Sequence, residues 1–134
     1  MNKFIRGIIA GLVATAVLSL LMLMKGMMGL MPDVDIIAML AGKMGGNAML
    51  GWGAHFMIGI IYGLAMAIIG GGLGRGMALA TVGWLIMMVA LMPMMGSGMF
   101  GMSMPSGMMV PAATLMLHLI FGAVLGFTYS KLGA

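Results

Sequence analysis

The chain is 134 residues long, 63% apolar and only 6% charged, with a formal net charge of +4; soluble domains carry roughly a quarter of their residues as charged ones. Eight charges cannot cover a water-soluble surface, so a soluble globular fold is excluded and a single integral membrane domain over residues 1–134 is expected. The absence of cysteine excludes disulfides and thiolate metal centres as well.

A bilayer core takes about 20 apolar residues to cross. Lys3 and Arg6 precede an uncharged run from Gly7 to Met24, which predicts a first transmembrane helix over about residues 5–25. Basic residues before an apolar stretch also begin a signal peptide. This stretch is longer than a signal core and lacks a small-x-small cleavage site, so an uncleaved helix is expected. The next segment, PDVDIIAMLAGK at 32–43, predicts a short helix lying in the outer interface, with Asp33 as its cap and Asp35 in its first turn. Lys43 suits its last turn, and Ile36, Ile37 and Leu40 form its apolar face. Its expected task is to cover the bundle, with partner docking as the alternative.

From Met44 to Gly74 there is again no charge, predicting a second span over 49–71. The uncharged stretch from Gly76 to Ser130 holds two more, 76–95 and 111–130, separated by a break at Pro93, Gly96, Ser97, Pro105 and Pro111. The expected fold is an all-α polytopic membrane protein: four transmembrane helices in a bundle plus a short outer interfacial helix. Each span contains small-residue pairs suited to close packing in lipid: Gly7 and Gly11, Gly59 and Gly63, Gly72 and Gly76, Gly122 and Gly126. At an offset of 63 residues, His55, Gly59 and Gly63 match His118, Gly122 and Gly126, and Met24, Met31 and Met39 match Met87, Met94 and Met102. Two helical-hairpin repeats of one orientation are one reading of this match; biased composition is the other.

Charge placement gives the expected topology. Lys3, Arg6, Arg75 and Lys131 fall on one side, whereas Lys25, Lys43, Asp33 and Asp35 on the other sum to zero. The positive-inside rule therefore puts both termini and the 72–75 turn in the cytoplasm. The basic balance is a topology signal, and no nucleic-acid partner is expected. GGGLGRG at 70–76 lacks the Lys-Ser/Thr of a phosphate-binding loop and fits a tight turn.

The only two histidines, His55 and His118, lie inside these spans, where an ionisable side chain is a functional candidate. Each shares a helix face with the glycines four and eight residues on, so the imidazoles would meet if those glycine faces packed together. The bland alternative is that each histidine hydrogen-bonds a neighbouring carbonyl or Thr114. Methionine adds to the case: 20 of the 23 lie in residues 22–57 and 87–116, the expected outer half. Thioethers and imidazoles are ligands for Cu(I), so His55 and His118 are candidate core ligands. Met22, Met24, Met27, Met28, Met92, Met94, Met95, Met99, Met102 and Met104 are candidate capture ligands. The same methionines also suit a flexible interface with a larger membrane complex or in a homo-oligomer, or a reversible oxidant sink. A third use of the histidines is axial ligation of a haem b, weakened by the lack of an outer arginine for the propionates. The only carboxylates, Asp33 and Asp35, share one loop, and no nucleophile-base set is present, so no catalytic residues are expected.

RGIIAGLVATAVLSLLMLMK, GWGAHFMIGIIYG, MMVALMPMMGSGMFG and TLMLHLIFGAVLGFTY together resemble a family of small bacterial membrane proteins catalogued as a domain of unknown function. The resemblance runs from Arg6 to Tyr129 and implies a four-helix inner-membrane protein without an activity to transfer. The expected function is therefore non-enzymatic: binding or relaying a soft metal, Cu(I), on the outer side of the membrane. An accessory subunit of a larger respiratory or metalloenzyme complex and a bis-histidine haem b carrier are the alternatives.

Overall fold

Small residues set which helices touch. In the computed structural model, which describes residues 1–133, four helices are long and apolar enough to cross a membrane. They are Lys3–Met27 (the first span), Ala48–Ile69 (the second), Leu73–Met94 (the third) and Met109–Leu132 (the fourth). No strand occurs among the described residues. Large apolar side chains such as Leu20, Ile68, Val82 and Phe127 remain exposed on the outside of the bundle, as suits contact with lipid tails.

Along the first span, Gly7, Gly11, Thr15 and Ser19 recur every fourth residue and are all buried. They face Gly63, Gly59 and His55 of the antiparallel second span, with Ser19 hydrogen-bonded to the His55 ring, while Gly51 packs against Ile37 and Ala41; a Cβ on Gly63 or Gly59 would collide with Gly7 or Thr15. The third and fourth spans make an equivalent seam. A Cβ on Gly122 would strike the Gly76 carbonyl, and one on Gly126 that of Gly72, while the Trp84 indole donates to the Thr114 hydroxyl at 3.1 Å. Continuing this register sets Ala80 opposite His118. The hairpins join where the first span packs on the fourth. There the Arg6 guanidinium donates to the Tyr129 carbonyl at 2.8 Å and lies 4.1 Å from that ring's centre. The second and third spans touch only sparsely.

The hairpin correspondence is thus present in space, but its register differs from the expected one. The second and fourth spans align at 63 residues, as His55 and His118 do, whereas the first and third align at 65, pairing Gly7 with Gly72 and Gly11 with Gly76. The match of Met24 with Met87 falls out of register for this reason, and Met31 and Met39 lie beyond the end of the first span.

Two local features also depart from expectation. The interfacial helix covers Ile36–Lys43, and its cap is Asp35, in extended conformation, accepting from the Ala38 N–H at 3.0 Å. A cap must immediately precede the first helical residue. Asp33 stands too early for that and instead accepts from the Ser106 N–H at 3.1 Å and from the Ser106 hydroxyl, tying the loop after the first span to the loop before the fourth. In the third span, Met87–Leu91 form a π-helical turn in which the Met92 N–H donates to the Met87 carbonyl. Pro93 lacks an N–H and its ring crowds the carbonyl four residues before it. The widened turn carries the helix past the proline to Met94.

Two buried clusters fill the bundle. Toward the termini lie Ala10, Ala14, Met66, Ala67, Ala80, Phe121, Leu125 and Tyr129. Toward the loops lie Met31, Val34, Met87, Met88, Met92 and Val110, so four of the methionines at this end are core residues.

Candidate functional site

The sparse contact between the second and third spans leaves a cavity of about 440 Å³ where the four spans meet the loop between the first and second spans. Its floor is the edge-to-face pair Tyr62 and Phe121, with ring centres 5.1 Å apart. Tyr62 lies against Gly83, where any Cβ would collide with its ring and hydroxyl. Met31, Val34, Ile36 and Leu40 form the roof. The remaining wall is open. Ile61 of the second span and Val82 of the third both line the cavity, yet they are 58% and 54% exposed. The opening therefore faces sideways, between these two helices, toward the lipid.

Both histidines reach this cavity, from different walls. The Ser19 hydroxyl donates its single hydrogen to the Thr15 carbonyl at 2.7 Å, so its oxygen accepts from His55 Nε2–H at 3.1 Å. His118 Nδ1–H donates to the Thr114 carbonyl at 2.8 Å. A neutral imidazole has one donor and one acceptor nitrogen. With the donors engaged, His55 Nδ1 and His118 Nε2 keep unshared lone pairs, and neither is sealed off within the protein. The difference between the two sites follows from the seams: the first span offers Ser19, whereas its counterpart in the third is Trp84, so His118 turns to its own helix. Thr114 thus contributes its carbonyl rather than its hydroxyl, which donates to Val110.

The expected meeting of the imidazoles across packed glycine faces does not occur. Each glycine face packs on the other helix of its own hairpin, and no hydrogen bond or ring contact links His55 to His118 among the described residues. Of the methionines singled out as capture ligands, Met22 alone lines the cavity. Met92 is fully buried in the loop-end cluster and Met104 packs partly buried against it, while Met95 is half-buried. Met24, Met27, Met28, Met94, Met99 and Met102 are exposed. The thioethers that do share the cavity with Met22 are Met31 and Met87.

Sequence reasoning missed Ser19, Tyr62, Met31 and Met87. Ser19 was discoverable as the last member of the four-residue series that begins at Gly7. Tyr62 lies two turns after His55 and hence on nearly the same side. Its hydroxyl has no protein partner and borders the cavity. The one charged side chain on the wall, Lys25, donates its ammonium to the Leu30 and Met31 carbonyls at 3.0 and 2.9 Å. Outside the spans, the Ser106 hydroxyl holds the Asp33 carboxyl below the usual carboxylate range.

The chain belongs to the family of unknown function DUF6789, which matches residues 1–134. No curated protein and no solved structure matches it.

Proposed function

We propose that this is a non-enzymatic binding protein of the bacterial inner membrane, with cytoplasmic termini, that holds a neutral membrane-soluble molecule in its lateral cavity. The carrying observation is that both histidines line the same cavity, each with one ring nitrogen tied down by the protein and the other left without a protein partner. Its volume of about 440 Å³ lies in the range of small-molecule sites, roughly 300–1,000 Å³. An apolar lining with a few placed polar groups is the composition of such sites. Organic extraction of protein purified in mild detergent, followed by mass spectrometry, tests the reading against Ala65→Phe, which fills the cavity wall. A small molecule near one per wild-type chain and depleted from the variant is expected. Equal recovery from both overturns it.

One observation favours a second reading. The thioethers of Met22, Met31 and Met87 line the same cavity as the two imidazoles, a donor set suited to Cu(I). Among the described residues no three His, Cys, Asp or Glu side chains cluster, so a metal here would draw on sulfur. Stoichiometric copper lost in both His55→Ala and His118→Ala is the expected result, and equal metal content in wild type and variants overturns it. A bis-histidine haem is served less well, because Ser19 occupies His55 Nε2.

A further inference from the structure

We infer that the cavity is built for the reduced, hydroxyl-bearing form of a membrane-soluble aromatic diol, in the hydroquinone class, entering sideways between the second and third spans. This rests on the small-molecule reading of the cavity and adds the chemistry of its occupant.

The polar groups set the requirement. His55 Nδ1 and His118 Nε2 are acceptors, because their partner nitrogens already donate to Ser19 and to the Thr114 carbonyl. An acceptor in an apolar cavity is costly to leave unmet and needs a donor from the ligand. Two acceptors on different walls call for two donors on one molecule. Hydroxyls supply them without charge, and charge is unwelcome here: no carboxylate lines the cavity, and Lys25 is spent on backbone carbonyls. The corresponding quinone would set carbonyl oxygens against imidazole lone pairs, acceptor against acceptor. Presenting a donor instead would cost neutral His118 its bond to the Thr114 carbonyl, and would require the Ser19 hydroxyl to turn from the Thr15 carbonyl to His55 Nε2. The site therefore discriminates the reduced from the oxidised form through hydrogen-bond polarity at nearly constant shape.

The body of the ligand is fixed by the rest of the lining. Tyr62 and Phe121 close the floor with aromatic surface, and the free Tyr62 hydroxyl can donate to or accept from a ring substituent. The route is fixed by the open wall, where Ile58 and Ile61 face Val82 and Ile86 across a gap exposed to lipid. A ligand tail can remain in the bilayer through that gap while its head reaches the imidazoles.

The test uses three probes of one shape: decyl-hydroquinone, its quinone and its 1,4-dimethyl ether, the last lacking both donors. Each is titrated under anaerobic reducing or neutral conditions into the full-length protein in lipid nanodiscs. Binding is read by quenching of Trp52, whose ring centre lies 5.8 Å from that of His55. The expected result is saturable hydroquinone binding at least about tenfold tighter than either other probe. His55→Phe and His118→Phe should each reduce it to the level of the ether. The probe comparison is made on the wild-type protein, so it holds even if a variant fails to fold. Equal affinity for all three probes, abolished by Ala65→Phe, would overturn the diol inference and leave the cavity reading standing. No saturable binding of any probe would overturn the diol inference as well, and extraction of a different small molecule would then keep the cavity reading alive.

Discussion

Ser19 is the residue on which the site's geometry turns, although it is neither charged nor in the cavity wall. Its hydroxyl passes its hydrogen to Thr15 and accepts from His55 Nε2, which orients the imidazole. Ser19→Ala leaves a buried N–H without a partner, a loss of about 1–3 kcal/mol. A lowered melting temperature in detergent is expected, with Ser19→Thr close to wild type; an unchanged Ser19→Ala melt would show that His55 finds another partner. Asp33 supports a different residue-scale prediction. Because the Ser106 hydroxyl lowers its pKa from 3.8, the folded state binds the Asp33 proton less readily than the unfolded chain does. The resulting stability is complete above the ordinary carboxylate value and drains away as pH falls through the lowered folded value. Asp33→Asn keeps an acceptor but cannot titrate. Melting curves below pH 3.8 should therefore show a steeper loss in wild type than in Asp33→Asn, and parallel curves would refute the linkage.

The helices are assembled by glycine seams, and the seams make sharp distinctions between glycines that look alike in the sequence. A Cβ on Gly63 would collide with the Gly7 carbonyl oxygen, whereas one on Gly53 would meet nothing within 4 Å. Gly63→Ala must push two backbones apart, at about 1–3 kcal/mol. Gly53→Ala, on an exposed helix face, should be neutral or stabilising by up to about 1 kcal/mol. Thermal unfolding of the two variants side by side measures this contrast, and similar melts would mean the seam is not as tight as described. The four spans were legible because uncharged runs of bilayer length have few other uses, and the glycine faces were legible from their four-residue spacing. Which face meets which was not. Small residues permit close approach without naming a partner, so the histidine faces could be imagined packing on each other when each packs within its own hairpin. The π-turn before Pro93 was equally hidden, since a proline announces a missing hydrogen bond but not whether the helix ends or widens around it.

At the scale of the whole molecule, the two hairpins meet through the first and fourth spans and leave the second and third apart. That asymmetry creates the cavity and its lateral door. The crowding of methionine into one half gains a partial explanation at this scale as well: Met31, Met87, Met88 and Met92 fill the irregular cluster around the π-turn at the loop end, where a flexible side chain packs where branched ones would not. The exposed methionines have no such account. The proposed orientation puts the door and both imidazoles nearer the outer leaflet, because Lys3, Arg6, Arg75 and Lys131 all lie at the opposite end. The chain has no cysteine, so single introduced thiols report sidedness without background. Ser103 in the last outer loop and Ser130 near the C-terminus are both exposed. In spheroplasts of a bacterial host, a membrane-impermeant maleimide should label Ser103→Cys directly and Ser130→Cys only after permeabilisation. The reverse pattern would invert the topology and turn the cavity toward the cytoplasmic leaflet. Labelling of both thiols from outside would refute the placement of these two positions on opposite faces.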